Sequence, residues 1–133
     1  MFFHGGSTNR GTETIIRTAV LWLRKKLLDT IIQPNDLVII ATPNNPTGNT
    51  VDRAELLALI RKFPKSYFLI DEAFLDFIEG SKTVGAEAAN ILTLNSMTKF
   101  YGVPGLRIGY GTLAPPLAIR LKENLPPWTV NSI

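Results

Sequence analysis

Residues 37–48 read LVIIATPNNPTG, a run of five apolar residues followed at once by a turn rich in Asn and Pro. A short apolar run bounded by turn residues is typical of a strand that is covered on both faces. A helix is predicted next, because Asp52 and Glu55 have the spacing of a capping box. Its apolar stripe comprises Leu56, Leu57, Leu59 and Ile60. The order is strand, loop, helix.

The same order recurs along the chain. Further strands are predicted at 67–70, ending on Asp71, at 91–94, ending on Asn95 and Ser96, and at 106–110. Amphipathic helices are predicted at 13–28, from its apolar spacing, and from Pro115 to about Leu125. Strands that alternate with helices indicate an α/β fold, here a partial three-layer sandwich with a mostly parallel sheet.

Length and composition limit the classes of protein to consider. The 133 residues suffice for one domain, which we assign to 13–133, and we expect a disordered leader at 1–12. The net charge of +3 is too small to indicate nucleic acid binding. There is no Cys, and His4 is the only histidine, so a thiolate site and a classical metal cluster are excluded. No signal peptide or stretch of roughly 18 apolar residues is present, so we expect a cytoplasmic protein without membrane contact.

Polar residues follow three of the predicted strands. Ligands bind beyond the carboxyl ends of strands in an open parallel sheet, so the turn at 44–48, Asp71-Glu72 and the stretch 96–99 should converge. Lys99 could form a Schiff base with a carbonyl. Together with Asp71 and the phosphate-binding candidates Ser96, Thr98 and Arg107, it suits a phosphorylated heteroaromatic aldehyde.

Each of these residues also has a purely structural interpretation. An Asp at the end of a strand is most often a cap or turn residue, and Asn-Asn-Pro-Thr-Gly is by itself an ordinary turn. A single lysine in a loop is usually solvated. The order of the segments along the chain and their exact amino-acid sequences decide between the interpretations.

The segments resemble the signature of the class I/II aminotransferases, which are fold-type I enzymes dependent on pyridoxal 5'-phosphate. The resemblance extends from about Pro34 to Asn131. The matching segments are 41–48 (ATPNNPTG), 70–74 (IDEAF), 96–100 (SMTKF) and 105–110 (GLRIGY). It implies the large, cofactor-binding domain of such an enzyme.

The resemblance also implies a role for each matching residue. Lys99 would carry the cofactor as a Schiff base and act as the catalytic residue. Asn45 would donate to the cofactor's ring oxygen, and Asp71 would pair with its pyridine nitrogen. Ser96 and Arg107 would hold its phosphate.

Within the family, the chain is most similar to the histidinol-phosphate aminotransferase branch and, inside it, to threonine-phosphate decarboxylase. Phe74 stands where many aminotransferases have a Tyr, and Asp76-Phe77 follows as in the decarboxylase. Residues 125–131 (LPPWTVN) also resemble a decarboxylase segment. The resemblance implies decarboxylation of L-threonine O-3-phosphate in cobalamin biosynthesis, with a histidinol-phosphate-type aminotransferase as the alternative.

Members of the family are several hundred residues long, so we expect this chain to be an internal piece. The segments that complete the phosphate site, stack on the ring and bind the substrate carboxylate would lie outside it. Exposed sheet edges predict self-association or marginal stability, and the resemblance implies a homo-oligomer. Two further hypotheses are a non-catalytic remnant and a dinucleotide site, since residues 109–114 formally fit G-x-G-x-x-A.

Overall fold

The chain forms a five-stranded mixed sheet with helices, in a computed structural model that describes residues 16–17 and 31–125. The strands lie in chain order across the sheet. The first four are parallel, and the last pairs antiparallel with the fourth. The strands are β1 (Ile16–Arg17), β2 (Leu37–Ala41), β3 (Tyr67–Asp71), β4 (Ile91–Ser96) and β5 (Gly109–Leu113). The α-helices are α1 (Arg53–Lys62), α2 (Met97–Phe100) and α3 (Pro115–Asn124).

Three central strands confirm the prediction from apolar runs. β2 has the predicted bounds, while β3 and β4 include the polar residues on which the runs end. Alternate residues of each strand point to one face of the sheet. The residues on that face are nearly inaccessible to solvent: Val38, Ile40, Phe68, Ile70 and Ile91. These strands form the centre of the core.

Helix α1 closes this face of the sheet. Its N-cap Asp52 accepts hydrogen bonds from the backbone N–H groups of Ala54 and Glu55, at 2.9 and 3.0 Å. The capping role predicted from the sequence is therefore confirmed. The four residues of the predicted apolar stripe are all buried and belong to the same core cluster as the strands. We name this side of the sheet the closed face.

The opposite side, here the open face, is only partly covered. Helix α3 begins at the prolines, as predicted. It lies across the open face, but none of its residues is buried. A cavity of about 450 Å³ separates Leu117 and Leu121 of α3 from Leu37, Tyr67 and Leu92 of the sheet. Leu94 is 41% exposed and Ile119 61%. Self-association stays a prediction from the sequence.

Two predictions about the ends of the sheet are wrong. Ile16 and Arg17 fall within the predicted helix at 13–28 but form β1, because the free edge of β2 satisfies their backbone groups. The rest of that helix, and the leader at 1–12, lie outside the described residues. The final strand is β5, not 106–110, and it runs antiparallel.

The shift of the final strand has a local cause. Pro104–Leu106 form a 3-10 turn, and Arg107 has a left-handed backbone with φ 48°, so this segment cannot continue as a strand. β5 begins at Gly109, where the chain runs beside Asn95 and Ser96. Residues 109–113 are thus strand rather than the strand-to-helix turn that a dinucleotide fingerprint requires, which argues against that hypothesis.

Among the described residues, no helix is long and apolar enough to cross a membrane.

Candidate functional site

The candidate site lies at the carboxyl ends of β2, β3 and β4. Ala41 pairs with Asp71, and Asp71 with Leu94, so the three strands end side by side. The backbone bonds continue past the strands, with Thr42 N donating to the Asp71 carbonyl at 3.0 Å and Glu72 N to that of Leu94 at 2.8 Å. The segments that follow these strands therefore begin at one edge of the sheet, as parallel pairing predicts.

The two neighbouring asparagines in the turn after β2 differ in burial and in their contacts. Asn44 is buried, and its side-chain Nδ2 donates to Thr47 Oγ1 at 2.8 Å. Its backbone carbonyl accepts a hydrogen bond from Gly48 N at 2.7 Å. Gly48 has a left-handed φ of 69°, which glycine adopts without strain. Asn44 thus holds the turn together, and Asn45 is exposed beside it.

Asp71 ends β3 and is half-buried. Its Oδ1 accepts a hydrogen bond from Ala73 N at 3.0 Å, which makes it a turn residue of the kind common at strand ends. A carboxylate has capacity for several hydrogen bonds, so this turn leaves acceptor sites on the same group. The structural role and the predicted binding role are compatible.

Ser96, Thr98 and Lys99 form a short polar chain where β4 passes into α2. The Ser96 and Thr98 hydroxyls lie 2.8 Å apart, and Lys99 Nζ donates to Thr98 Oγ1 at 3.5 Å. Thr98 is 7% exposed, whereas Lys99 is exposed. The hydroxyl pair, of which Thr98 is buried and Ser96 half-buried, thus lies next to an accessible amine.

Thr98 is the residue whose part the family resemblance passed over. The chemistry of its hydroxyl predicts a phosphate ligand, whereas the family resemblance implies only Ser96 and Arg107 as phosphate ligands. The spacing Ser96-x-Thr98 was the available signal, because a chain that turns into a helix can bring hydroxyls two residues apart together. Thr98 is the central member of the polar chain.

Arg107 reaches this region through the backbone. Met97 N donates to the Ile108 carbonyl at 3.2 Å, and Ser96 pairs with Gly109. The residue before this contact is Arg107, whose side chain is exposed. Arg107 therefore immediately precedes Ile108 and Gly109, the backbone partners of Met97 and Ser96.

A cleft of about 360 Å³ connects the turn after β2 with the segment after β3. Asn45 and Phe74 both line it, together with Phe77. Lys99 Nζ lies 5.9 Å from the centroid of the Phe74 ring, within reach of a cation–π contact. Asn45 and Phe74 thus line one cleft, and the Lys99 amine lies over the ring of Phe74. Lys99, Asp71 and Arg107 are not among the residues that line this cleft.

Tyr110 lies opposite Asn95 in the β4–β5 pair. Desolvation raises the pKa of its hydroxyl, and the neighbouring Asp76 carboxylate raises this pKa further, with smaller contributions from Tyr101 and Glu72. The hydroxyl therefore stays protonated through the neutral pH range and can donate a hydrogen bond.

The described residues contain no cluster of three His, Cys, Asp or Glu that could hold a metal ion. The polar groups at this edge are instead an amine, a carboxylate, hydroxyls, an amide and a guanidinium. Such a set suits an anionic organic ligand that also has a group able to react with an amine.

Comparisons with known proteins agree with this chemistry. The family model for aminotransferase class I and II matches residues 23–133. The adenosylcobalamin biosynthesis bifunctional protein CobDQ of Leptospira interrogans is 41% identical over 73% of this chain and 11% of its own length. The histidinol-phosphate aminotransferase of Leuconostoc citreum is 37% identical over 74% of this chain and 31% of its own.

A solved structure shows the same architecture. The L-threonine-O-3-phosphate decarboxylase of Porphyromonas gingivalis superposes with a TM-score of 0.66 at 30% identity, covering 73% of this chain and 31% of that one. The chain thus spans less than a third of each of these relatives. It belongs to the class I and II aminotransferase family of fold-type I enzymes, whose cofactor is pyridoxal 5'-phosphate.

Proposed function

We propose that this chain is the cofactor-binding part of an enzyme that decarboxylates L-threonine O-3-phosphate. The observation that carries the proposal is the exposed Lys99 amine, which contacts the Ser96–Thr98 hydroxyl pair and lies over the ring of Phe74, a residue that lines the same cleft as Asn45. Residues 13–133 would form part of the large domain of that enzyme.

The residues present fit pyridoxal 5'-phosphate by their chemistry. The Lys99 amine would carry its aldehyde carbon. Ser96 and Arg107 would hold its phosphate, with Thr98 beside Ser96, because hydroxyls and a guanidinium bind phosphate oxygens. Asp71 would pair with its ring nitrogen, and Asn45 would donate to its ring oxygen. When bound, the cofactor supplies an electron sink for the substrate's broken bond.

The chain's own residues would control that chemistry by position and charge. A negative Asp71 favours the protonated ring nitrogen. The Lys99 amine would accept or return a proton near the reacting carbon. Phe74 brings an apolar ring beside the Lys99 amine and no hydroxyl.

Decarboxylation is the preferred reaction for two reasons. Relatives at 41% and 30% identity are named for adenosylcobalamin biosynthesis and for L-threonine-O-3-phosphate decarboxylation. Phe74 also lacks the hydroxyl of the Tyr that many aminotransferases have at this position. The 37% identity to a histidinol-phosphate aminotransferase favours the second candidate, transamination of an amino-acid phosphate.

Titration of the protein with pyridoxal 5'-phosphate tests the cofactor site. The wild type should develop a visible absorbance band that borohydride makes permanent, and Lys99→Ala should abolish it. Lys82→Ala is the matched control, because Lys82 is also an exposed lysine of a neighbouring segment and should leave the band unchanged. A band of equal intensity in Lys99→Ala would contradict the assignment of the lysine.

Product analysis separates the candidate reactions. Carbon dioxide released from L-threonine O-3-phosphate without a keto acid supports the decarboxylase. Transfer of the amino group of histidinol phosphate to an added keto acid, which yields an amino acid and the ketone of the donor, supports the aminotransferase. No product with either substrate, despite cofactor binding, favours a non-catalytic chain.

The proposed partners are a small amino-acid phosphate and a second copy of the chain. The exposed apolar side chains of the open face support association, which sedimentation velocity would measure. Nucleic acid and membranes are not proposed as partners. A cytoplasmic location stays a prediction from the sequence.

A further inference from the structure

Glu72 follows Asp71 directly but is directed to the other side of the sheet. It is 3% exposed, on the closed face with Ile70, while the half-buried Asp71 alternates to the open face. It therefore cannot bind the cofactor that Asp71 is proposed to bind. A buried carboxylate is retained only where hydrogen bonds compensate its desolvation, so its partners indicate its role.

The partners of Glu72 come from two different segments. Oε1 accepts from Val84 N at 3.0 Å, and Oε2 accepts from Thr83 Oγ1 at 2.6 Å and from Asn95 Nδ2 at 3.4 Å. The first two belong to the loop between β3 and β4, and Asn95 belongs to β4 itself. One side chain thus ties the loop to the ends of both strands.

These strand ends carry the proposed cofactor residues. Glu72 is bonded through the backbone to Asp71, and Asn95 to Ser96. The Glu72 N–H also donates to the Leu94 carbonyl at 2.8 Å, beside the Glu72–Asn95 contact. A change in the Glu72 side chain would therefore shift Asp71 and Ser96 relative to each other.

We infer that Glu72 is a positioning residue, which sets the separation of Asp71 and Ser96 through its hydrogen bonds to Asn95 and to the loop at Thr83 and Val84. The inference rests on the proposed cofactor site. The physical basis is that a binding site keeps its affinity only if the groups behind it hold its ligands within a fraction of an ångström.

Asn95 provides a way to distinguish hydrogen bonding from simple space filling. Its Oδ1 is buried and has no hydrogen-bond partner among the described residues. In Glu72→Gln the new amide can donate to this oxygen after the Asn95 amide rotates, while its own oxygen still accepts from Val84 N. Glu72→Gln should therefore retain the contacts that Glu72→Ala loses.

The experiment measures the dissociation constant for pyridoxal 5'-phosphate, together with the position and pH midpoint of its visible band. Glu72→Ala should raise the constant by about tenfold and shift the midpoint, since supporting residues behind a site have effects of this size. Glu72→Gln should restore binding to within about threefold of the wild type, because it keeps most of the hydrogen bonds.

Glu87→Gln is the matched control. Glu87 forms an exposed ion pair with Arg53, whose Nε also donates to the Thr83 carbonyl, so this variant loosens the same loop from its outer side. It should leave the dissociation constant and the band unchanged. An equal loss in Glu87→Gln and Glu72→Ala would mean that only loop stability matters, which overturns the inference.

The remaining outcomes are also decisive. If Glu72→Ala binds the cofactor as tightly as the wild type, only the positioning role is overturned. If the wild type does not bind the cofactor, both the cofactor site and this inference are overturned. If Glu72→Ala does not fold, Thr83→Val keeps the side-chain shape and removes the 2.6 Å hydrogen bond to Glu72, together with the local bond that Gly85 N donates to Thr83 Oγ1. Thr83→Val should weaken binding about threefold, and unchanged affinity would overturn the inference.

Discussion

The two faces of the sheet are built from the same strands but differ in how completely they are covered. On the closed face, Phe68, Ile70 and Ile91 are inaccessible to solvent beneath α1. On the open face, Tyr67 and Leu94 are each more than 40% exposed, although they alternate with those residues along the same strands. Strand formation and burial are thus separate properties here.

Because the two faces differ in burial, the residues that stabilise the fold and the residues of the candidate site lie on different faces. The closed face holds the core and the buried Glu72, whereas Asp71 belongs to the open face and Lys99 is exposed. An apolar core requires the exclusion of water, while a site that accepts a ligand must stay accessible. The sheet accommodates both because successive residues of a strand point to opposite sides.

The largest effect is expected from shortening a core side chain of the closed face. Ile70→Ala leaves a cavity at a residue with 0% exposure and should lower the free energy of unfolding by about 4 kcal/mol. Leu94→Ala is its open-face control and should cost about 1 kcal/mol, because Leu94 is 41% exposed. Urea denaturation followed by circular dichroism measures both.

Ile70→Val gives a graded version of the same test, with an expected cost of about 1 kcal/mol. Equal costs for Ile70→Ala and Leu94→Ala would show that the open face is covered in solution, for example by a second copy.

A smaller effect is expected where β5 approaches β4. A Cβ added to Gly109 would lie 2.5 Å from the Asn95 carbonyl oxygen, which is too close for two nonbonded atoms. Gly109→Ala should therefore displace β5 and cost about 2 kcal/mol. Gly105→Ala is the matched control, because a Cβ there has no atom within 4 Å among the described residues.

Gly105→Ala should change the free energy of unfolding by less than about 0.5 kcal/mol. Thermal unfolding and limited proteolysis would compare the two glycine variants. Full stability of Gly109→Ala would contradict the antiparallel register of β5.

The smallest effect concerns the cap of the helix that covers the closed face. Asp52→Ala removes both N-cap hydrogen bonds and should destabilise the protein by about 1 kcal/mol. Asp52→Asn keeps an acceptor oxygen and should stay within about 0.5 kcal/mol of the wild type, since Asn caps as well as Asp. Urea denaturation of the pair measures the difference, and a cap effect larger than that of Ile70→Ala would be inconsistent with a face held by apolar burial.

Local patterns were sufficient for the centre of the sheet. β2, β3, β4 and α1 were predicted because apolar runs of strand length and a capped apolar stripe need no distant contact to be identified. The same patterns failed at Ile16–Arg17, where pairing with β2 outweighs the local preference. They also failed at β5, because the turn at Pro104–Leu106 and the left-handed Arg107 delay the start of the strand.

The site residues were named from their types and order, and the structure adds their contacts. The sequence identified Lys99, Asp71, Asn45, Ser96 and Arg107 as candidates. Their roles stay proposals. The cleft shared by Asn45 and Phe74 depends on how segments distant in the chain meet, which no spacing rule predicts. The hydroxyl pair of Ser96 and Thr98 is instead a local contact between residues two apart.

By itself the sequence determined the α/β class, the three central strands with their covering helix, and the family. These follow from periodicity and from short segments that fold locally. Only the tertiary structure decided that Asp71 and Glu72 serve opposite faces, that Asn44 holds the turn beside an exposed Asn45, and that β5 runs antiparallel from Gly109. The physical reason is that burial and strand pairing depend on which segments come together in space.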